Sequence, residues 1–301
     1  MNKIESLIAE IEEFQKKHTS YKDQAKTYKM ILEAQKPLLE DSKAGTTIDW
    51  TATKFLDKLQ KRSLEEELPI SSFLEPAIYD FQALQKTFLA VMEGFKSLNI
   101  ESPEKISRLI NNASKLIPEI VEKRLQYSFE FFLSLADKFG LSHTFLGVIA
   151  DTLIQPSMKK IANNVKKEDF LDQWNKTECP VCKRIPFIAV KDEEEVWRFL
   201  CAFCEAEYAM YIFKCPNCEN EDFKRKEFFF VDGREAFEAA CCKECGCYFK
   251  IINKYKLKEK IPVGLEDIYT SFLDELAQDK GLKRLDALKP QSGRKNRSTK
   301  H

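Results

Sequence analysis

Residues 179–247 read CPVCKRIPFIAVKDEEEVWRFLCAFCEAEYAMYIFKCPNCENEDFKRKEFFFVDGREAFEAACCKECGC and contain all ten cysteines of the 301-residue chain. Eight of the ten form CxxC pairs. Two thiolates at this spacing on a tight turn can hold a metal ion from one side, and a second pair can complete a tetrahedron. Clustered pairs of this kind in a reducing compartment favour metal sites over disulfides. The pairs are Cys179/Cys182, Cys201/Cys204, Cys215/Cys218 and Cys242/Cys245.

The gaps between successive pairs indicate which pairs share a metal ion. They contain 18, 10 and 23 residues. The gap of 18 residues fits the range of zinc ribbons and the gap of 23 slightly exceeds that range, whereas a gap of 10 is short for a β-hairpin. We therefore expect the first pair to join the second, and the third to join the fourth. Each site then closes a hairpin, of 187–190 with 196–200 in the first and of 228–231 with the stretch before Cys242 in the second. Each of the two sites then has four thiolates and no open position, which predicts structural metal ions instead of catalytic ones. The pattern suits zinc and a rubredoxin-type iron equally, so the metal is left open.

Cys241 and Cys247 lie outside the pairs, and each is close in sequence to the fourth pair. Either could replace a neighbouring ligand, form a labile disulfide or pack as a small core residue. Unpaired cysteine is among the most often buried residue types, which favours the packing role.

The chain before the cysteines follows a helical period and predicts a bundle of about six helices. No catalytic or metal-binding motif is recognised in this region, so we interpret it as a scaffold. The predicted helices are one on the stripe from Ile4 to Phe14, one from Pro76 to about Gly94, one beginning at Ser102-Pro103, one carried from Ile120 to about Gly140, and a buried one from His143 to Ile154.

From residue 179 onward, β-branched and aromatic residues alternate with charged ones and predict short strands at 187–190, 196–200, 208–213, 228–231 and 248–252. Asp232-Gly233 predicts a tight turn, and residues 234–240 fit either a strand or a helical turn. The predicted fold class is α+β, with a helical bundle, two tandem rubredoxin-like or zinc-ribbon-like modules and a C-terminal helix. The expected domains are 1–178 (helical), 179–214 and 215–261 (the ribbons), 262–288 (helix) and 289–301 (a disordered basic tail).

Composition excludes several classes of function. There are 48 Lys+Arg against 48 Asp+Glu, which excludes a broadly basic nucleic-acid binder. Glycine occurs only 9 times, and no GxGxxG or GxxxxGK[ST] motif is present, so common nucleotide enzymes are not expected. No export signal or long apolar run is recognised, which predicts a cytoplasmic protein without membrane insertion. Residues 179–250 carry a net charge of −3, a poor match for phosphate, so no nucleic-acid partner is predicted.

The segments CPVC at 179–182, LCAFCEAEY at 200–208, KCPNCE at 214–219 and CKECGCYFK at 242–250 resemble the formate dehydrogenase accessory protein FdhE family. The order and spacing of the cysteine pairs and the residues that flank them agree with the family pattern over residues 179–250. The sequence departs from the family pattern at three positions. Lys183 follows the first pair where the family tends to have glycine, and Tyr208 stands where the family tends to have tryptophan. Cys247 stands where a polar residue other than cysteine is expected, which leaves a redox-sensing role open.

This resemblance implies a cytoplasmic, non-catalytic maturation factor that binds the catalytic subunit of a molybdenum- or tungsten-dependent formate dehydrogenase. It also implies rubredoxin-like sites, in which the eight paired cysteines hold two metal ions. We expect the acidic, aromatic-bearing surface of the ribbons to contact the partner, near Glu205, Glu207, Tyr208, Tyr248 and Lys250.

Two other functions are compatible with the cysteine pattern. Iron in one or both sites would allow electron transfer to a client, as in a rubredoxin. A zinc ribbon of transcription has the same ligands, although the acidic module argues against it. The oligomeric state is left open, with a homodimer as one option.

Overall fold

A computed structural model describes residues 3–194, 196–210 and 214–287 of the chain. The predicted basic tail at 289–301 and the last three residues of the strand predicted at 208–213 lie outside the described residues. No described helix is both long enough and apolar enough to cross a lipid bilayer.

The first half of the chain is helical, as predicted. Apolar side chains at helical spacing, such as Ile11 and Phe14, are buried in the core. The helices are α1 (Lys3–Lys17), α2 (Lys22–Glu40), α3 (Thr53–Glu66), α4 (Phe81–Ser97), α5 (Pro103–Asn111), α6 (Ala113–Leu125), α7 (Phe129–Phe139) and α8 (His143–Asn164).

Three helix boundaries differ from the prediction. The buried helix expected to end at Ile154 continues to Asn164 as α8. The helix expected to begin at Pro76 begins at Phe81, because the Asp80 side chain accepts hydrogen bonds from the next free backbone N–H groups, while Pro76–Ile78 forms a 3₁₀ turn. The helix predicted to run from Ile120 to Gly140 is two helices. Tyr127 has a positive φ of 55° between α6 and α7, which a continuous helix does not allow.

The second half forms one mixed sheet. Its strands lie in the order β3-β2-β1-β6-β5-β4, and β7 pairs with β6 beside β1. For residues 234–240 the sequence was compatible with a strand or a helical turn. In the structure a strand starts at Phe237, after the turn predicted at Asp232-Gly233. The strands are β1 (Ile188–Lys191), β2 (Trp197–Leu200), β3 (Glu207–Ala209), β4 (Lys226–Phe230), β5 (Phe237–Cys242), β6 (Cys247–Asn253) and β7 (Lys283–Arg284).

A parallel pairing joins the two cysteine modules into this sheet. The antiparallel hairpins β1-β2 and β4-β5 match the prediction. In addition, β1 runs parallel to β6, with Ile188 opposite Lys250. The two predicted ribbons therefore share a continuous hydrogen-bonded sheet, which local patterns in the sequence did not indicate.

The two faces of the sheet pack against different cores. Ile188 and Val190 face a cluster that includes Ile11 of α1, whereas Ala189 faces the larger core of the helical bundle. This alternation follows from the two-residue period of a strand. The helices α9 (Glu266–Tyr269) and α10 (Ser271–Asp279) lie between β6 and β7, so the single helix expected at 262–288 is two short helices followed by a strand. Leu273 of α10 is buried in the first of these clusters. The α+β architecture is confirmed, while the proposed domain boundaries stay a prediction.

Candidate metal centres

The eight paired cysteines lie in two groups of four, with the pairing expected from the sequence. Within each group, the sulfur atoms lie within 4.8 Å of one another. The first site combines the turn before β1 with the turn between β2 and β3. The second combines the turn before β4 with the turn between β5 and β6. The groups are Cys179, Cys182, Cys201, Cys204 and Cys215, Cys218, Cys242, Cys245.

Each CxxC pair lies on a tight turn that ends in a left-handed residue. The backbone N–H of Lys183 donates to the Cys179 carbonyl at 2.9 Å, and Lys183 has a φ of 65°. Glu205, Glu219 and Gly246 close the other three turns in the same way, with φ values of 66°, 60° and 67°. Only the last of the four is glycine, the residue that adopts this φ without strain. Lys183 therefore keeps the turn geometry despite its departure from the family pattern.

The distances between sulfur atoms fit tetrahedral coordination. A metal–sulfur bond of about 2.3 Å places the four sulfurs of a tetrahedron about 3.8 Å apart. In the second site, Cys215 and Cys245 are 3.8 Å apart, and Cys218 and Cys242 are 3.7 Å apart. The first site is slightly tighter, with sulfur distances of 3.5 and 3.4 Å. Each group could therefore hold one metal ion with little rearrangement.

Residues of the helical region fix the first site. The backbone N–H groups of Ile70 and Ser71 donate to the carbonyls of Pro180 and Val181, at 2.8 and 2.9 Å. The Tyr127 hydroxyl donates to the Cys182 carbonyl. All four cysteines of this site are buried. The first site is therefore part of the interface between the helices and the sheet.

Sequence reasoning missed these helical contacts. Tyr127 and Gln155 are separated from the cysteines by dozens of residues, and the Gln155 amide donates to the Phe203 carbonyl at 2.9 Å. Arg184 pairs with Asp151 of α8, and its guanidinium lies 4.1 Å from the centre of the Phe203 ring. No local motif marks such residues, because their roles depend on tertiary packing.

The second site is more accessible than the first. Cys215 and Cys242 are buried, whereas Cys218 and Cys245 are partly exposed. The Cys247 sulfur lies 3.6 Å from that of Cys215, so a fifth thiol borders this group.

Thiol–thiol hydrogen bonds make one cysteine of each group more acidic than its neighbours. They lower the pKa of Cys201 in the first site and that of Cys215 in the second, where Cys247 is the main donor. Burial raises the pKa of Cys179 and Cys204. A cation that binds four thiolates must therefore displace protons from the remaining thiols, so its affinity rises with pH.

The structure places three predicted partner-contact residues in the interior. The Tyr208 hydroxyl donates to the Thr177 carbonyl at 2.7 Å, and the Tyr248 hydroxyl donates to Asp274 at 2.8 Å. Lys250 has no exposed surface and pairs with Asp267 and Asp274. These side chains hold the fold together, and a contact surface near them stays a prediction.

The remaining two predicted contact residues are paired but partly exposed. Glu205 lies 2.5 Å from the Lys159 ammonium group, and Glu207 pairs with Lys254. A role of these two glutamates in partner binding stays a prediction.

Glu266 in α9 lies close to the Glu205–Lys159 pair and predicts a pH-dependent stability. Burial, with a smaller contribution from Glu205, raises the pKa of Glu266 from 4.5 to about 7. The folded state therefore favours the neutral acid, and stability falls as pH rises from about 4.5 to about 7. A shift of this size corresponds to about 3 kcal/mol.

We expect Glu266→Gln to flatten this part of the stability profile, as measured by urea unfolding between pH 5 and 8. Glu275→Gln on α10 is the control, because the Glu275 side chain is exposed and its substitution should leave the profile unchanged. An identical slope in wild type and Glu266→Gln would contradict the prediction.

Comparisons with known proteins show what the chain is similar to. No protein-family model matches it. It is 30% identical over 210 residues to the FdhE homolog of Aquifex aeolicus, which covers 67% of this chain and 68% of that protein. It is 34% identical over 110 residues to the homolog of Glaesserella parasuis and 30% identical over 109 residues to the FdhE protein of Escherichia coli. Each of these two matches covers 35% of both chains.

A solved structure shares the fold. The crystal structure of the FdhE protein from Pseudomonas aeruginosa superposes with a TM-score of 0.64 and covers 93% of this chain and 92% of that one, at 15% sequence identity. The arrangement of helical region and sheet is thus common to both chains.

Proposed function

The chain belongs to the FdhE family, and we propose that it is a cytoplasmic, non-catalytic accessory protein in the maturation of a molybdenum- or tungsten-dependent formate dehydrogenase. In this proposal it binds the catalytic subunit of that enzyme. The observation that carries the proposal is the pair of four-thiolate groups set in one sheet, together with the family membership.

The geometry of the sites supports a binding role over a catalytic one. We propose that the eight paired cysteines hold two metal ions, each by four sulfurs. Four protein ligands leave no position for water or substrate, as in structural sites of zinc proteins. Bound ions would fix the turns around the sheet and give a partner a rigid surface.

The outer strand of the sheet offers an apolar surface for that partner. Strand β4 is at the edge, so one side of its backbone has no strand beside it among the described residues. Phe223, Phe228 and Phe230 are 65%, 41% and 57% exposed at this edge. We call these three residues the β4 edge patch. Exposed aromatic side chains on a free edge are typical of protein contacts.

We expect the double substitution Phe228→Ser/Phe230→Ser to reduce recovery of the formate dehydrogenase catalytic subunit at least several-fold. The test is an anaerobic pull-down of tagged full-length protein from its own cell extract, with bound proteins identified by mass and metal content measured on the same sample. Phe129→Ser is the matched control, because Phe129 is 60% exposed but lies on α7 in the helical region.

The outcomes separate the parts of the proposal. If both the double variant and Phe129→Ser lose the subunit, then either the contact lies elsewhere or the variants are destabilised in general. Unchanged melting temperatures of both variants would exclude destabilisation. Failure of the wild-type protein to retain the subunit would contradict the accessory role itself.

Electron transfer is the second candidate, and the exposure of the second site favours it. Cys218 and Cys245 are partly open to solvent, so an iron ion there would be accessible to a redox partner. A reversible visible spectrum of protein purified with iron would support this function. Zinc in both sites of active protein would contradict it.

A further inference from the structure

A fifth sulfur, that of Cys247, borders the second site. The Cys247 sulfur lies 3.6 Å from that of Cys215, while the Cys245 sulfur lies 3.8 Å from the same atom. Both distances match the edge of a four-thiolate tetrahedron, which is about 3.8 Å for metal–sulfur bonds of about 2.3 Å. Measured from Cys215, Cys247 is as well placed as Cys245.

The two competing thiols differ in exposure and in backbone support. Cys245 is partly exposed on the turn between β5 and β6, whereas Cys247 is buried as the first residue of β6. The backbone of Cys247 is held from one side by its pairing with Lys283 of β7. Cys245 is therefore the ligand more open to solvent, and Cys247 is the one more firmly positioned.

A neighbouring cavity gives the thiols room to move. It has a volume of about 200 Å³ and is lined by Cys215, Cys242, Cys247, Phe249 and Trp197, among others. Its walls are mainly apolar side chains, so a sulfur can shift there without breaking a polar network. The Cys247 side chain already contacts the sulfur of Cys215, and the exchange requires it to move toward Cys218 and Cys242.

We propose that Cys247 is a reserve ligand of the second metal site and replaces Cys245 when that thiolate dissociates from the ion. The ion then keeps four thiolates by exchanging one protein sulfur for another, with the proton of the incoming thiol released to solvent and one taken up by Cys245. This inference rests on the metal binding put forward under the proposed function. It makes the two sites unequal, since no fifth thiol borders the first group among the described residues.

Cobalt binding to the full-length chain tests the exchange. We expect wild type, Cys247→Ser and Cys245→Ser each to bind two Co²⁺ per chain, with the thiolate-to-metal absorption of four sulfurs at each site. The double variant Cys245→Ser/Cys247→Ser should bind one. Loss of the second ion from Cys245→Ser alone would overturn the proposal. Fewer than two ions in wild type would instead refute the metal binding itself.

A second measurement does not depend on a variant that lacks a primary ligand. Cys247→Ser retains all four paired cysteines of the site, and we expect it to release the second ion to a chelator several-fold faster than wild type. Cys241→Ser is the matched control, because Cys241 is also buried next to the fourth pair but packs in the cluster on the opposite face of the sheet. Equal release rates for Cys247→Ser and wild type would overturn the proposal.

Discussion

Cys179→Ser should remove one metal ion per chain and lower the free energy of unfolding by several kcal/mol. Cys179 is fully buried in the first group, and no spare thiol borders that group among the described residues. Structural zinc contributes about 10 to 16 kcal/mol to the folding of zinc-finger peptides. A chain with a large hydrophobic core should lose only part of that amount, because the core remains. Metal content and urea unfolding of the purified variant measure both effects.

The loss of stability in Cys179→Ser should also extend to the helical region. The residues around Ile70 and Ser71 bond directly to the turn that carries Cys179 and Cys182. We therefore expect faster amide exchange at Ile70 and Ser71 in the variant, although they are more than 100 residues away in sequence. Cys241→Ser is the control, since Cys241 belongs to neither group. Full metal content and unchanged stability in Cys179→Ser would show that the first group is not a metal site.

The cysteine groups were predictable because they depend on local chain geometry. A CxxC turn places two sulfurs on one side, and the length of the hairpin between two such turns determines which can meet. The pairing of four turns into two groups followed from these lengths alone. The hairpins β1-β2 and β4-β5 followed for the same reason.

Features that depend on distant residues were not predictable. The parallel pairing of β1 with β6 joins segments about 60 residues apart, and no periodicity in either strand indicates its neighbour. The break between α6 and α7 occurs inside an apolar pattern that a continuous helix would also produce. The burial of Lys250 and Tyr248 was not predictable, because charged and hydroxyl groups usually face water. The partners of both residues are carried by helices later in the chain.

Lys250→Met should lower the free energy of unfolding by about 2 to 3 kcal/mol. The Lys250 ammonium group is fully buried and lies 2.9 Å from Asp274, and it also pairs with Asp267. Methionine preserves most of the volume but leaves two carboxylates with fewer partners. The effect should fall below that of a fully buried pair, about 3 to 5 kcal/mol, because Asp267 is partly exposed and Arg284 still donates to it.

Lys254→Met is the matched control for this substitution. Lys254 follows β6 directly and pairs with Glu207, but both side chains are substantially exposed, so its loss should cost less than about 1 kcal/mol. Equal stabilities of the two variants would contradict the structural role of Lys250. The same comparison separates that role from a partner contact. A contact residue would weaken binding of the formate dehydrogenase subunit without loss of stability, whereas the buried ion pair predicts that α9 and α10 detach from the sheet first, with faster amide exchange in both helices.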